Sequence, residues 1–350
     1  MTSKERVRAV MMHQKPDRIP AAFQATDGVM KKLIAHYGVT SEDDLYKKFD
    51  IDIIPAAPTY CGAPLKEYTN SAGAHVITNY WHFEATLHET EVDTYRTTTL
   101  YPLEGVESMD DLNQYSYPSA DDFDYSSITK TCEENPDKAI IIGHEGPFQI
   151  VTNLMNMEEF FILMMEEPEV AHEILDRMVA FELEYYERCL IAGGGKIDIL
   201  RPHDDYGTQI SLLFSTSMWE EFFAENTKKL VELTHRYGAF YMQHSCGAVG
   251  PIIPGLVACG IDALEPIQKV KTLEIENLLP YAEKLCFHGG IDTQDLLPNG
   301  TPEQVTAEVK RFIEALGKSG SYILMGSQSF EPDAKIENIE AIYSVDRTVS

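Results

Sequence analysis

Gly238-Ala239-Phe-Tyr-Met-Gln-His244-Ser-Cys246-Gly247 is the stretch on which the fold reading turns. Ahead of it, Met218–Tyr237 has a helical pattern with Ser217 as its cap, and Gly238 ends it at the C′ position. Ala239–His244 then reads as a short apolar strand that runs into polar residues. Outward in both directions the same unit recurs, a short β-branched or apolar run followed by a helical pattern. The predicted strands are Arg18–Phe23, Ile51–Ala57, Ala139–Gly143, Ile197–Pro202, Ala239–His244, Ile261–Pro266, Leu285–Gly290 and Tyr322–Gly326. Helix signals lie between them. Thr301-Pro302-Glu303 supplies a cap, an N1 proline and an acidic first turn for Val305–Leu316, and Pro168–Ala192 carries an apolar stripe.

Short apolar strands alternating with helices make a parallel sheet covered on its outer face, and eight such strands close a barrel. The expected fold class is therefore α/β: a (β/α)8 TIM barrel, one domain over residues 1–350. An insertion at 59–135, between the second and third strands, interrupts the alternation and is rich in Tyr, Thr and acids. An open doubly wound sheet fits less well, because Ala21-Ala22-Phe23-Gln24-Ala25 lacks the glycine fingerprint expected after its first strand.

Composition narrows the function. The 350 residues carry 56 Asp+Glu against 28 Lys+Arg, a net charge of −28, which excludes nucleic acid as a partner. No apolar run approaches the roughly 20 residues that span a bilayer, so no membrane association is expected. Six scattered cysteines and no apolar stretch behind Met1 point to a reducing, cytoplasmic setting.

Chemistry in a barrel sits beyond the C-terminal strand ends. His144-Glu145-Gly146-Pro147-Phe148, His203-Asp204-Asp205-Tyr206-Gly207-Thr208-Gln209, His244-Ser-Cys246, Glu265, His288 and Ser327-Gln328 all fall there. His244 and Cys246, two apart on an extended strand end, face the same side and offer an imidazole and a thiolate, a donor pair suited to zinc. By themselves they are equally a core cysteine beside a hydrogen-bonded histidine. His203 and Asp204 are candidates for acid–base work, since adjacent carboxylates beside an imidazole drive pKa values apart. The alternative for Asp204 and Asp205 is helix capping. Cys286 reads as core, whereas His288, Phe23, Phe148, Tyr206 and Gln209 are expected to line or wall a substrate pocket.

The residues resemble a known family. Lys4-Glu-Arg-Val-Arg-Ala-Val with His13-Gln-Lys-Pro-Asp-Arg-Ile-Pro20, Gly146-Pro-Phe, Asp204-Asp-Tyr-Gly-Thr-Gln209, His244-Ser-Cys-Gly247, Ile261-Asp-Ala-Leu-Glu-Pro-Ile-Gln268 and Gly289-Gly-Ile-Asp-Thr-Gln294 are similar, in order, to the uroporphyrinogen decarboxylase superfamily. That resemblance implies the same barrel and two possible activities. One arm decarboxylates uroporphyrinogen with an arginine-rich motif after the first strand. Here that segment, Phe23-Gln-Ala-Thr-Asp-Gly-Val-Met30, has no arginine, and of the chain's arginines only Arg201 falls near a predicted strand end at the catalytic face.

The other arm comprises zinc-dependent methyltransferases that work with a corrinoid protein, and its H-x-C motif matches His244 and Cys246. Its third ligand, a cysteine after the last strand, has no counterpart in Met325-Gly-Ser-Gln-Ser-Phe330. Glu145 is the expected replacement, with His203, Asp204 and Glu265 as alternatives. The resemblance thus implies Zn²⁺ on His244, Cys246 and Glu145, with catalysis by Asp204, His203 and Tyr206. The reaction it implies moves a methyl group from a small O-methylated donor, an aromatic ether among the candidates, to a Co(I) corrinoid on a partner protein. Methyl transfer from a methylcobamide to a thiol and uroporphyrinogen decarboxylation are the alternatives. A homodimer is compatible with the sequence.

Overall fold

A computed structural model describes residues 1–349. Seven parallel strands, Ile53–Ala56, Ala139–Ile142, Ile197–Leu200, Phe240–His244, Ala263–Ile267, Cys286–Gly289 and Tyr322–Ile323, pair strictly in chain order. The eighth position belongs to Arg18–Phe23, which forms bridges rather than a continuous strand. Ala22 N–H donates to Leu324 O (2.9 Å), Leu324 N–H to Pro20 O (2.9 Å), and Asp52 N–H to Ala21 O (2.8 Å). Pro20 has no N–H to give, which explains why the ladder breaks there. The segment nevertheless joins the last strand to the first, and the molecule is an α/β TIM barrel.

Alternation along the strands sorts the barrel interior into two layers. The lower layer is apolar: Ile53, Ala139, Ile141, Ile199, Met242, Ala263, Cys286 and Ile323 pack against Val7, Val10 and Met11 of the helix Ser3–Met11, which plugs the floor. Cys286 is core, as expected. At the floor, fully buried Asp52 accepts from Arg6 Nη1 (2.7 Å), Arg18 Nη1 (2.8 Å) and Ala21 N–H (2.8 Å). The upper layer, one alternation further along the chain, holds Arg201, His244, Glu265 and His288.

Two local expectations are corrected. Met218–Tyr237 is two helices, Thr216–Phe222 and Ala224–Arg236, broken at Phe223. The cap is Ser215, whose Oγ accepts from Met218 N–H (3.2 Å), while Ser217 bonds Ser215 Oγ. Gly238 does follow the helix in a left-handed conformation (φ +72°).

Between Ala56 and Ala139 the chain builds a four-stranded antiparallel sheet, Glu67–Thr69, His75–Thr78, Glu84–Glu89 and Thr94–Leu100. It leans on the barrel rim, where Tyr95 OH donates to Glu331 (3.0 Å) and Asp93 accepts from Thr26 Oγ1 (2.6 Å). The helix Ser126–Glu134 buries Ile128 and Cys132, and Ser127 Oγ donates to Ala57 O (2.7 Å). None of the described helices is long and apolar enough to cross a membrane.

Candidate metal centre and barrel cavity

The loops beyond the strand ends carry the parallel ladder upward. Gly146 N–H donates to His203 O (2.7 Å), His203 N–H to His144 O (2.9 Å) and Asp204 N–H to His244 O (3.1 Å). Side chains mounted on these loops are therefore held nearly as firmly as if they stood on the strands. Glycines bring two loops into contact. A Cβ on Gly247, whose φ is +85°, would lie 2.4 Å from the Gly207 carbonyl carbon. That close approach sets Asp205 against the strand end of His244.

Asp205, His244 and Cys246 place one donor atom each within 4.8 Å of one another. His244 Nε2 lies 3.3 Å from Asp205 Oδ1 and 3.7 Å from Cys246 Sγ. His244 Nδ1 is taken by Glu265 Oε2 at 2.5 Å. This is the arrangement of a metal-ligating histidine whose second nitrogen is oriented by a carboxylate. Burial opposes a charged His244, but Glu265, Asp205 and Cys246 outweigh it and hold the metal-free imidazole well above its usual range. Metal binding would displace that proton. Burial raises the Cys246 thiol, with His244 opposing the rise, and Gln328 Nε2 donates to its Sγ (3.1 Å). Oxygen, nitrogen and sulfur donors with the Asp205 side chain 45% exposed suit a zinc ion that keeps an open position.

Glu265 is shared. Its Oε1 lies 3.2 Å from Arg201 Nη1 and 3.8 Å from His288 Nδ1, and although burial alone would raise its pKa, Arg201 and His244 hold it well below the carboxylate range. His288 is pushed down to about 4 by burial, against the pull of Glu265 and with Arg201 adding to the fall. It is a neutral imidazole at pH 7. Beside this network is a cavity of about 220 Å³, with Arg201 and His288 on one side and Phe23, Ile53, Ile141 and Met325 among its apolar walls.

The predicted site residues divide sharply. His244, Cys246, His288 and Phe23 reach the centre or the cavity. His203 stands beside them, its ring 4.8 Å from that of His244, and burial followed by Arg201 and His244 keeps it neutral. Glu145, expected as a ligand, is outside the three-donor group and is ion-paired with Arg96 of the inserted sheet. Asp204, expected as the acid, is turned the other way. Its Oδ1 accepts from Gln149 N–H (2.8 Å) in the first turn of the helix Pro147–Leu154, and its Oδ2 accepts from Tyr206 OH (2.9 Å).

Tyr206 and Phe148 do not wall the cavity. Both are buried in an aromatic cluster with Phe214 and Phe223. Gln209 lies at the rim, its Nε2 donating to Gln268 Oε1 (3.0 Å).

Sequence reasoning passed over Asp205 as a ligand, although period-two alternation from His203 already set it on the side opposite Asp204. It missed Glu182 altogether. That carboxylate is fully buried in the helix Pro168–Ala192, and neither oxygen has a hydrogen-bond partner among the described residues.

Comparison with known proteins agrees with this architecture. A family model described as uroporphyrinogen decarboxylase (URO-D) matches residues 87–348. The methylcobamide:CoM methyltransferase MtbA of Methanosarcina mazei is 21% identical over 97% of this chain and 96% of its own length. The uroporphyrinogen decarboxylase of Methylococcus capsulatus is 25% identical over 59% of this chain and 58% of its own. Among solved structures, a methyltransferase from Methanosarcina mazei superposes with a TM-score of 0.66 at 17% identity, covering 98% of this chain and 97% of the other.

Proposed function

Because the chain belongs to the uroporphyrinogen decarboxylase family, we propose that its three-donor centre makes it a zinc-dependent methyltransferase acting with a corrinoid protein. The reaction is removal of a methyl group from a small O-methylated donor to a Co(I) corrinoid held on that partner. The observation that carries this reading is the convergence of Asp205, His244 and Cys246 within 4.8 Å at the C-terminal end of the barrel. Asp205, His244 and Cys246 would hold a zinc ion, which would supply a Lewis acid for the donor's oxygen. A carboxylate, an imidazole and a single thiolate form a harder set than two thiolates and an imidazole, which favours an oxygen over a sulfur ligand.

The chain's own residues do the rest. Glu265 fixes the His244 ring so that Nε2 faces Asp205 and Cys246. Phe23 and the apolar wall exclude water from the body of the donor. Neutral His203, next to His244, can share a hydrogen bond with the released oxygen, whose proton comes from solvent. Arg201 is the one arginine on the cavity, too few cations for a substrate with eight carboxylates.

A second reading, transfer from a methylcobamide to a thiol, is favoured by the methylcobamide:CoM activity of the relative MtbA. One experiment separates the two. Zinc-loaded protein is mixed with free Co(I) cobalamin and a panel of methyl ethers, and in parallel with methylcobalamin and small thiols. Both are followed by the corrinoid absorbance. Oxidation of Co(I) to methylcobalamin with an ether is expected. Demethylation of methylcobalamin by thiols alone replaces the first reading with the second, and silence in both arms sinks the methyltransferase assignment.

A further inference from the structure

We propose that Gln328 is a positioning residue of the metal centre: its amide N–H holds the Cys246 sulfur as a hydrogen-bonded thiolate and weakens that sulfur's electron donation to the metal. The inference rests on the zinc reading and deepens it, because it names a residue that sets a centre with a single thiolate toward an oxygen ligand.

Two side-chain nitrogens approach Cys246 Sγ, His244 Nε2 at 3.7 Å and Gln328 Nε2 at 3.1 Å. As a metal ligand His244 keeps its proton on Nδ1, toward Glu265, and offers a bare Nε2. Among the described side chains, Gln328 is then the donor left to the sulfur. The sense of its amide is fixed from the other end, where Oε1 accepts from Ser329 N–H (3.1 Å). Reversing the amide would set its oxygen against the sulfur and its NH2 against that N–H, so the network admits one orientation.

The backbone around Gln328 is pinned on both sides. Ser327 N–H donates to Ile291 O (2.7 Å), and Phe330 N–H donates to Gln24 O (2.9 Å). Just ahead, Gly326 lets the loop fold back on itself, since a Cβ there would lie 2.8 Å from the Phe330 ring and 2.9 Å from Gln328 O. The amide is thus delivered to the sulfur by the loop. A hydrogen bond to an ionised acceptor is roughly twice as strong as one between neutral groups, so this contact favours the thiolate over the thiol. It also draws electron density away from the sulfur, and a neutral amide does so without cancelling the charge.

Cobalt(II) in place of zinc makes the sulfur visible, because a thiolate on Co(II) gives a charge-transfer band. Cys246→Ser identifies that band by its loss. Gln328→Leu removes the donor and brings no ligand atom, and Gln328→Asn keeps the amide but shortens its reach. In both variants the band is expected to move to longer wavelength with cobalt still bound. Competition with a chelator is expected to show zinc binding weakened by about 10–100-fold. An unmoved band in a folded, cobalt-loaded Gln328→Leu protein overturns the proposal. So does complete loss of the metal from both variants with circular dichroism unchanged, which would make Gln328 a ligand. A shifted band without methyl transfer to Co(I) or to thiols leaves the bond standing and removes the methyltransferase reading. Methyl transfer with an unmoved band does the reverse.

Discussion

Asp204 and Asp205 are adjacent in the chain, yet their carboxylates serve opposite sides of one loop. Asp205 faces His244 Nε2 at 3.3 Å, and Asp204 accepts from Gln149 N–H at 2.8 Å. One carboxylate belongs to the centre and the other caps a helix. Burial pushes Asp204 up to about 7, even though its bonds from Gln149 and Tyr206 pull the other way. Burial opposes Asp205 less than its contact with His244 favours the charge, so its pKa falls.

The two aspartates should therefore part company in a metal assay. Asp205→Asn, His244→Ala and Cys246→Ser are each expected to lose stoichiometric zinc by elemental mass spectrometry. Asp204→Asn should retain it. Zinc lost equally from the Asp204 variant would mean that the group is assembled differently.

Glu265→Gln tests the support of the centre. Removing a carboxylate that orients a metal-ligating histidine weakens metal binding by about 10–100-fold. The same change strands Arg201, now without its buried partner. Competition with a chelator measures the first effect, and an unchanged zinc affinity would deny Glu265 its orienting role.

Glu182 gives a pH-dependent prediction. Burial, with a smaller contribution from Asp204, holds its pKa well above the ordinary carboxylate range. Above about pH 4.3 an unfolded chain has released this proton, whereas the folded chain keeps it. The folded state therefore binds more protons, and stability falls as pH rises through the window between the two pKa values. Glu182→Gln removes that slope. Its gain in Tm over the wild type should be larger at pH 8 than at pH 5, and a gain independent of pH would contradict the assignment.

At the barrel floor, Asp52→Ala removes the shared partner of Arg6 and Arg18. Breaking a buried ion pair from one side costs about 3–5 kcal/mol. Chemical denaturation should show a loss of this size. A loss below about 1 kcal/mol, the level of an exposed ion pair, would show that water reaches the cluster.

The barrel was legible because its evidence is local and repeated. Strands such as Ala139–Ile142 are continuously apolar, Gly238 and Thr301 mark helix ends, and period-two alternation already separates Ile199 and Arg201 from Leu200. The pair His244/Cys246 was legible for the same reason, since two residues on one strand end share a side whatever lies around them. The helix break at Phe223 was not, because packing acts beyond the local pattern, whereas the bridging form of Arg18–Phe23 follows from Pro20, a local signal that the strand reading passed over.

Choosing the third donor was a tertiary decision. Glu145, Asp204, Asp205 and Glu265 are all acids near strand ends, and alternation separates Asp205 from Asp204 without ranking the four as ligands. Arg96, arriving from a sheet some fifty residues away, claims Glu145 (|i−j| = 49). The amide of Gln149 claims Asp204, and Nδ1 of His244 claims Glu265. Asp205 reaches Nε2 because Gly207 and Gly247 let two backbones touch. Residue types and spacings determine what each side chain can do. Which one does it depends on distances of a few ångströms between segments far apart in sequence, and only the folded chain sets those.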